Sequence, residues 1–139
     1  MKYLLDTNLI SELVKKEPNP GVLRWIDERD ENTFYLSVIT LGELQKGISK
    51  LHDLSRVERL QAWMDQDLAH RFKGRILPID EEVATTWGRI QGMNEKSGIK
   101  LPVMDSLIAA TAIAHNLIVV TRNVQDIERC QAMVHNPWV

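Results

Sequence analysis

Cysteine is nearly absent from the sequence, in which Cys130 is the only one. A single cysteine cannot form an internal disulfide, and its isolation suits the reducing conditions of the cytoplasm. Cys130 itself is expected to be a half-buried, small apolar residue, because no His or Asn pattern accompanies it as a catalytic nucleophile requires. The scarcity of cysteine therefore excludes a disulfide-stapled secreted domain and predicts a cytoplasmic protein.

Long apolar runs are also missing. No segment approaches the roughly 20 consecutive apolar residues that a membrane-spanning helix needs. The opening segment Met1–Asp6 reaches an acidic residue too early for a secretory signal. We therefore expect no membrane association, and the length of 139 residues predicts one domain that covers residues 1–139.

A surplus of basic residues is absent too. The chain has 17 Lys and Arg against 19 Asp and Glu, which gives a net charge of −2. This balance argues against a general nucleic-acid binder, for which a basic surplus is expected. Once four acidic residues are set aside for the site described below, the remaining surface is slightly basic. That charge is compatible with RNA as a transient substrate and does not by itself favour it.

Several catalytic motifs are missing as well. The sequence has neither a glycine-rich phosphate loop nor a serine-centred nucleophile elbow, and its four histidines lack the spacing of metal ligands. The tryptophans stand at helical or edge positions and are expected in the core or at an interface, rather than as platforms for stacked bases: Trp25, Trp63, Trp87 and Trp138.

What the sequence does contain is a repeated alternation of strand and helix patterns. Short runs of β-branched or bulky apolar residues predict buried strands, and these are Tyr3–Leu5, Phe34–Val38, Ile76–Ile79 and Leu117–Val120, with residues 134–138 as a further edge strand. Pro78 favours a sheet edge or a strand end. The alternation is typical of an α/β fold around a mainly parallel sheet of four to five strands.

Polar residues predict where several helices begin. Asn19 is expected to cap a helix that has Pro20 at its first position, and Asp80 is expected to cap another. Thr40 is predicted to cap the helix that follows the second strand, and Ser55 to cap a later one through a capping box with Glu58. A helix from about Met104 is predicted to end at Asn116 in a left-handed cap.

Four acidic residues are the most informative feature of the chain. Asp6, Glu43, Asp105 and Asp126 each follow a short apolar run or lie in the first turn of the helix after it. In a parallel sheet all four would gather at the C-terminal edge, where open α/β sheets bind ligands. Like charges packed together are costly unless some are protonated or a cation lies between them. The pattern therefore predicts a Mg²⁺ or Mn²⁺ site.

Each acid also has a purely structural interpretation. Asp6 could simply neutralise a helix N-terminus, although Thr7 or Asn8 is expected to serve as the cap there. Glu43 fits a capping box with Thr40, and spacing alone does not decide between this role and a catalytic one.

For the two remaining acids, too, a structural role competes with a functional one. Asp105 leads an alanine- and isoleucine-lined helix face without an evident basic partner, which favours a functional role. Asp126 could instead belong to a turn that caps the following helix. Thr121 and Asn123 offer further polar groups at the end of the fourth strand, and Arg122 is either a phosphate contact or a solvated cation.

Four motifs, in order along nearly the whole chain, resemble the PIN-domain nucleases and in particular the VapC-type toxins of bacterial toxin–antitoxin modules. They are residues 4–12 (LLDTNLISE), 41–44 (LGEL), 102–112 (PVMDSLIAATA) and 121–123 (TRN). The tail Asn136-Pro137-Trp138 resembles the FitB-like branch of that family. The resemblance implies a three-layer α/β/α fold.

The resemblance also implies a Mg²⁺-dependent endoribonuclease, with Mn²⁺ as an alternative metal and transfer RNA as one candidate substrate. A cognate VapB-type antitoxin would hold it silent, contact with operator DNA would occur only through that antitoxin, and the chain would form a homodimer. By position, Asp6, Glu43 and Asp105 match the acidic ligands, with Asp6 and Asp105 holding the main metal. Asp126, supported by Asn123, is the preferred fourth site residue, and whether one or two metals bind stays open.

Two rival functions remain open. A haloacid-dehalogenase-like phosphatase also begins with a strand followed by Asp, but its chemistry needs a second Asp where Asn8 stands. A non-catalytic module could use the acidic pocket to receive an arginine of a partner protein. Metal-dependent hydrolysis would separate the nuclease from such a module.

Overall fold

The structure is a computed structural model that describes residues 1–139. Its strands are β1 (Tyr3–Leu5), β2 (Phe34–Ser37), β3 (Ile76–Leu77), β4 (Ile118–Val120) and β5 (Val134–His135). All neighbouring strands are parallel, and their order in the sheet is β3-β2-β1-β4-β5. The predicted α/β fold with a sheet of four to five strands is confirmed, and β3 lies at an edge as Pro78 indicated.

Eight α-helices connect and cover the strands. They are α1 (Thr7–Leu13), α2 (Pro20–Asp27), α3 (Val38–Ser49), α4 (Leu54–Ala62), α5 (Ala69–Arg71), α6 (Glu81–Lys96), α7 (Val103–His115) and α8 (Val124–Glu128). A π-helical stretch, Trp63–Leu68, joins α4 to α5, and a 3₁₀ turn, Glu31–Thr33, precedes β2. None of these helices has the length and apolar character needed to cross a membrane.

Two hydrophobic clusters lie on opposite faces of the sheet. Successive side chains of a strand point to opposite faces, so Leu4 joins a cluster with Ile108 and Ala112 of α7. Leu5 joins the other cluster, which includes Leu9 of α1 and Val22 of α2. Helices therefore cover both faces, and the three-layer α/β/α arrangement is confirmed.

Several helix ends follow their predicted caps. Asn19 Oδ1 accepts hydrogen bonds from the N–H groups of Gly21 and Val22 at the start of α2. Asp80 Oδ1 accepts one from Val83 N–H at the start of α6. Asn116 ends α7 with φ 60° and ψ 45°, which is the left-handed cap conformation.

Three predicted caps were wrong. Asp6, and not Thr7 or Asn8, caps α1. Ser37 caps α3, because β2 ends one residue earlier than predicted and the Ser37 hydroxyl accepts from Ile39 N–H at 3.0 Å. Thr40 consequently lies inside α3.

The cap of α4 also differs from the prediction. Asp53 accepts from the N–H of Arg56 at 3.2 Å, so Asp53 caps this helix and Ser55 lies within its first turn. Asp caps helices as well as Ser does, and here Asp53, the earlier of the two candidates, forms the cap.

Gly21 provides a test of how the segment 136–139 packs on α2. A Cβ atom at Gly21 would lie 2.5 Å from the carbonyl oxygen of Pro137 and 2.7 Å from a methyl of Val139. We expect Gly21→Ala to displace this segment and to lower the free energy of unfolding by about 1–3 kcal/mol, measured by urea denaturation.

Gly47→Ala is the matched control for this prediction. Gly47 lies on the exposed side of α3, and an added Cβ would meet no atom within 4 Å. The control should gain up to about 1 kcal/mol of stability from better helix propensity. Equal stability of Gly21→Ala and wild type would contradict the packing described here.

Candidate active site

The C-terminal edge of the sheet carries a recess of about 390 Å³. It forms there because parallel strands end on the same side, so the residues that follow β1 and β4 meet side chains of α1, α3 and α7. All but two of the predicted site residues line this recess: Asp6, Thr7, Asn8, Glu43, Asp105, Arg122 and Asn123. The two exceptions are Thr121, which is buried, and Asp126.

Asp6 lies at the floor of the recess and is 5% exposed. One carboxylate oxygen accepts a hydrogen bond from Thr7 N–H, and the other accepts one from the Thr121 hydroxyl, both at 2.8 Å. Its role as N-cap of α1 and its place in the recess therefore coexist. A carboxylate has about four lone-pair sites, so these two bonds leave acceptor capacity for a further ligand.

Glu43 approaches the recess from α3. Its Oε1 atom accepts a hydrogen bond of 2.5 Å from the Thr7 hydroxyl, which also lies 3.2 Å from the hydroxyl of Thr40. Because α3 begins at Val38, Glu43 lies beyond its first turn, and the capping-box interpretation of Glu43 was wrong. The side chain instead contacts α1 across the recess.

Asp105 enters from the first turn of α7. Its Oδ2 atom accepts a hydrogen bond of 3.1 Å from the side-chain amide of Asn123. Asp126 lies in α8, three residues after Asn123 and outside the recess lining. Its Oδ1 atom is 3.8 Å from a guanidinium nitrogen of Arg129. Asn123 therefore lines the recess and Asp126 does not, although the negative charge of Asp126 is the main cause after desolvation that raises the pKa of Asp105.

Thr121 joins the elements at the base of the site. Its hydroxyl donates to Asp6 and accepts from the Asn8 side-chain amide at 3.1 Å and from Asn123 N–H at 2.9 Å. Asn8 Oδ1 in turn accepts from Arg122 N–H. This network holds the loop after β4 against α1, so the supporting positions predicted after the strands do contact one another.

Burial and the repulsion between neighbouring carboxylates both raise the pKa values of Asp6 and Asp105. Desolvation is the largest cause that raises the pKa of Asp6, with Glu43 and Asp105 adding to it. Desolvation also raises the pKa of Asp105, followed by the negative charge of Asp126 and then of Glu43. No Lys or Arg forms an ion pair with Asp6, Glu43 or Asp105. A cation would therefore relieve an electrostatic cost that the chain itself leaves uncompensated.

The donor set fits a hard divalent cation. It consists of carboxylate, hydroxyl and amide oxygens, which suit Mg²⁺ and Mn²⁺. No three acidic, histidine or cysteine side chains converge as a ready-made set of metal ligands. Asp6 and Asp105 could supply the one or two carboxylates that Mg²⁺ takes, with water as its remaining ligands.

Four further residues of the recess were not anticipated as site residues. Ser11, Glu12, Lys15 and Trp138 also line it. A signal for the first three was present in their spacing. Asn8, Ser11 and Glu12 lie on one polar face of α1, and Lys15 continues the same spacing just after the helix ends at Leu13. Trp138 packs partly against the core, as expected of the tryptophans. Its place at the recess depends on a long-range contact that no local pattern indicates.

Cys130 takes no part in this site. It is 1% exposed, and its thiol lies 3.4 Å from the carbonyl oxygen of Asp126. Burial raises the pKa of the thiol to about 11, with Asp105 and Asp126 contributing. The thiol therefore stays protonated at neutral pH, which agrees with the predicted structural role, although Cys130 is fully buried and not half-buried as predicted.

Comparison with known proteins supports the family resemblance. Residues 3–130 match the family model described as PIN domain. Toxin FitB of Neisseria gonorrhoeae is 38% identical over 135 residues, with 97% of each chain covered. The crystal structure of FitAcB from that organism superposes with a TM-score of 0.92 over 98% of each chain, at 38% identity.

Two other relatives extend the comparison. VapC ribonuclease Y4jK of Sinorhizobium fredii is 36% identical over 135 residues, which covers 97% of this chain and 96% of that protein. VapBC2 from Rickettsia felis, bound to a DNA fragment from its promoter, contains a chain that superposes with a TM-score of 0.82 at 28% identity, over 98% of both chains. With a family model spanning most of its length and the acidic recess at the sheet edge, the chain belongs to the PIN domain family, in the group similar to the FitB and VapC toxins.

Proposed function

We propose that this chain is a metal-dependent endoribonuclease and the toxin of a toxin–antitoxin pair. The observation that carries the proposal is the pair Asp6 and Asp105, whose pKa values are raised and which have no cationic partner, at the ligand-binding edge of a PIN fold. The names of the relatives, toxin and ribonuclease, agree with this chemistry.

Asp6 and Asp105 are the residues that would hold Mg²⁺, directly or through water. When bound, the ion would polarise the scissile phosphate and lower the pKa of a water molecule. Glu43 uses Oε1 to accept from Thr7, which leaves Oε2 to accept the proton of the attacking water. Asn123 orients Asp105 through its amide.

Thermal unfolding with and without metal tests the first part of this proposal. We expect Mg²⁺ or Mn²⁺ to raise the melting temperature at neutral pH, because ligand binding to the folded state adds stability, about 1.4 kcal/mol at a concentration near ten times Kd. This corresponds to roughly 3–6 °C for a domain of this size. At pH 4 the increment should shrink, since protonation of Asp6 and Asp105, whose pKa values are raised, competes with the ion.

Potassium chloride at equal ionic strength is the control for that experiment. An equal rise with KCl, or a rise that persists in Asp105→Asn, would assign the effect to general screening and not to this site.

Cleavage itself is tested by incubating purified protein with total RNA, transfer RNA included, and mapping new 5′ ends. We expect discrete ends with wild type in Mg²⁺ and none in EDTA or with Asp6→Asn. Identical ends in all three samples would assign the cleavage to a contaminant. Their complete absence under every metal tested would favour a non-catalytic module whose acidic pocket receives a partner's arginine.

We also propose that an antitoxin docks beside the recess. A groove of about 660 Å³ runs between α1, α3 and α4. Its lining combines apolar side chains, which include Leu44, Ile48 and Trp63, with four basic ones: Lys15, Lys16, Arg56 and Arg59. Thr7 and Glu43 line both this groove and the acidic recess. A helix in the groove can therefore place an arginine on the carboxylates. Contact with promoter DNA, seen in the Rickettsia felis complex, would be made through such an antitoxin.

A further inference from the structure

The acidic recess does not end at the carboxylates. A second recess of about 400 Å³ adjoins it, and both are lined by Glu12, Lys15, Arg122 and Trp138. The two recesses therefore form one groove, in which Trp138, Lys15 and Arg122 line the boundary between the carboxylate end and the far end.

Trp138 is held in this groove by its nitrogen edge. The indole Nε1–H donates to Glu12 Oε1 at 3.2 Å, and Glu12 is only 5% exposed. Glu12 Oε2 accepts from Asn19 N–H at 2.9 Å, and Lys15 lies 3.0 Å from Oε1. A buried carboxylate with three donors is a rigid anchor, so the orientation of the indole is set before any ligand arrives.

The backbone around Trp138 is fastened as well. Val139 N–H donates to Asn19 Oδ1 at 3.3 Å, and Asn19 Nδ2 donates to the carbonyl oxygen of Val139 at 3.1 Å. Trp138 N–H donates to Asn136 Oδ1 at 3.0 Å. The segment is thus ordered across α1 and α2, although Trp138 itself stays partly exposed.

Arg122 supplies a free positive charge next to the indole. Its guanidinium carbon lies over the Trp138 ring, 5.9 Å from the ring centre, so a stacking base would displace it from the ring face. Arg122 forms no ion pair and is exposed, which leaves it able to turn towards a phosphate. A rigid aromatic ring beside an unpaired arginine is the combination with which proteins hold single-stranded nucleic acid, since the ring stacks on a base and the arginine contacts the phosphate.

We propose that Trp138 stacks on an unpaired base next to the scissile phosphate and that Arg122 contacts the phosphate of that nucleotide. The substrate class is then RNA with a single-stranded or looped segment at the cleavage point, because a base within a duplex cannot reach the indole. This inference deepens the proposed ribonuclease function and rests on it for the location of the scissile phosphate.

Fluorescence of 2-aminopurine tests the stacking without any need for catalysis. The probe is an octauridylate with one 2-aminopurine, placed at each position in turn and titrated with full-length protein in EDTA. We expect quenching at one or two positions with wild type and with Trp138→Phe. Trp138→Leu, which keeps apolar bulk but offers no aromatic face, should bind about tenfold more weakly and lose the quenching.

Two results would overturn the stacking role. Equal affinity and quenching in folded Trp138→Leu and wild type would show that no base meets the indole. Equal losses of affinity and of quenching in Trp138→Phe and Trp138→Leu, accompanied by lower thermal stability in both, would show that Trp138 acts only through its bond to Glu12.

Arg122→Gln tests the phosphate contact, with Arg24→Gln as the matched control because Arg24 is exposed on α2 and lines neither recess. Loss of one phosphate contact should reduce the slope of log affinity against log salt concentration by about 0.7 for a single strand. The control should leave the slope unchanged, and an unchanged slope in Arg122→Gln would overturn the contact.

Cleavage kinetics separate this inference from the proposed function. If wild type cleaves RNA and Trp138→Leu does so with the same KM, the stacking role fails and the ribonuclease stands. If wild type cleaves no RNA while 2-aminopurine quenching depends on Trp138, the ribonuclease fails and the base-binding site stands.

Discussion

Asp105→Asn is expected to lower RNA cleavage by about 1,000-fold or more, as loss of a metal-holding carboxylate should, while the fold is retained. Asparagine has the same shape, and its side-chain oxygen can still accept the hydrogen bond that Asn123 donates to Asp105. What the substitution removes is the charge. Cleavage is measured as an initial rate on the RNA that wild type cuts, and folding by circular dichroism.

The same variant should be more stable than wild type when metal is absent. The pKa of Asp105 is raised in the folded chain, so its ionised form opposes folding once the pH exceeds the ordinary value of 3.8. The opposition is complete above the raised pKa, and it vanishes as the pH falls below 3.8. We therefore expect the variant to melt at a higher temperature at pH 7 and at a similar temperature near pH 3.5.

A series of isosteric changes completes this prediction. Asp6→Asn should match Asp105→Asn in activity. Glu43→Gln should lose activity and keep the metal-dependent stabilisation. Asp126→Asn should lose the least activity, because Asp126 lies outside the recess lining. Asp27→Asn, on an exposed face of α2, is the control and should behave as wild type. A folded Asp105→Asn protein with full activity would remove Asp105 from the catalytic site.

Thr121→Val is expected to destabilise the fold and to reduce cleavage together. The hydroxyl of Thr121 is fully buried and bonds to Asp6, Asn8 and Asn123. Valine has nearly the same shape but leaves the two donors without an acceptor, which costs about 1–3 kcal/mol for a buried group. Urea denaturation measures this loss.

The activity of Thr121→Val should fall by about 10–100-fold, because partners that orient a metal ligand have effects of that size. Thr121→Ser keeps the hydroxyl and should recover most of the activity at a small cost in stability. If Ser and Val variants have equal activity, the hydroxyl does not position Asp6, and the network described at the base of the site has no catalytic consequence.

The parts of the fold that the sequence predicts well are those decided by local hydrophobic pattern. The run Leu117–Val120 predicts β4, and Tyr3–Leu5 predicts β1, because β-branched and bulky apolar residues pack on both faces of a parallel strand. Where such a strand ends, the next polar residue must lie at the sheet edge. Asp6 and Thr121 are therefore predicted to lie at the same edge of the sheet without any tertiary information.

Helix starts were predicted less well because several neighbouring residues compete for the same role. Ser37 and Thr40 are both good caps, and only the true end of β2 decides between them. The cap lies three residues earlier than predicted, and this shift also decides the role of Glu43. A capping box would have turned its side chain back to its own helix, whereas the observed start of α3 lets it reach Thr7.

The remaining omissions and open choices concern contacts between distant parts of the chain. The turn after β4 determines that Asn123 donates to Asp105, while Asp126, three residues further on, acts on Asp105 through its charge. Trp138 reaches Glu12 across 126 positions. Such contacts depend on how complete elements pack, so residue spacing does not reveal them.

Diffraction at the manganese absorption edge would locate a metal ion between the carboxylates, with crystals of the whole chain soaked in MnCl₂ at neutral pH. We expect an anomalous peak between Asp6 and Asp105, within direct or one-water reach of both carboxylates, and no such peak in Asp105→Asn crystals. Manganese that binds elsewhere only, or a recess that stays free of metal at concentrations supporting cleavage, would contradict this expectation.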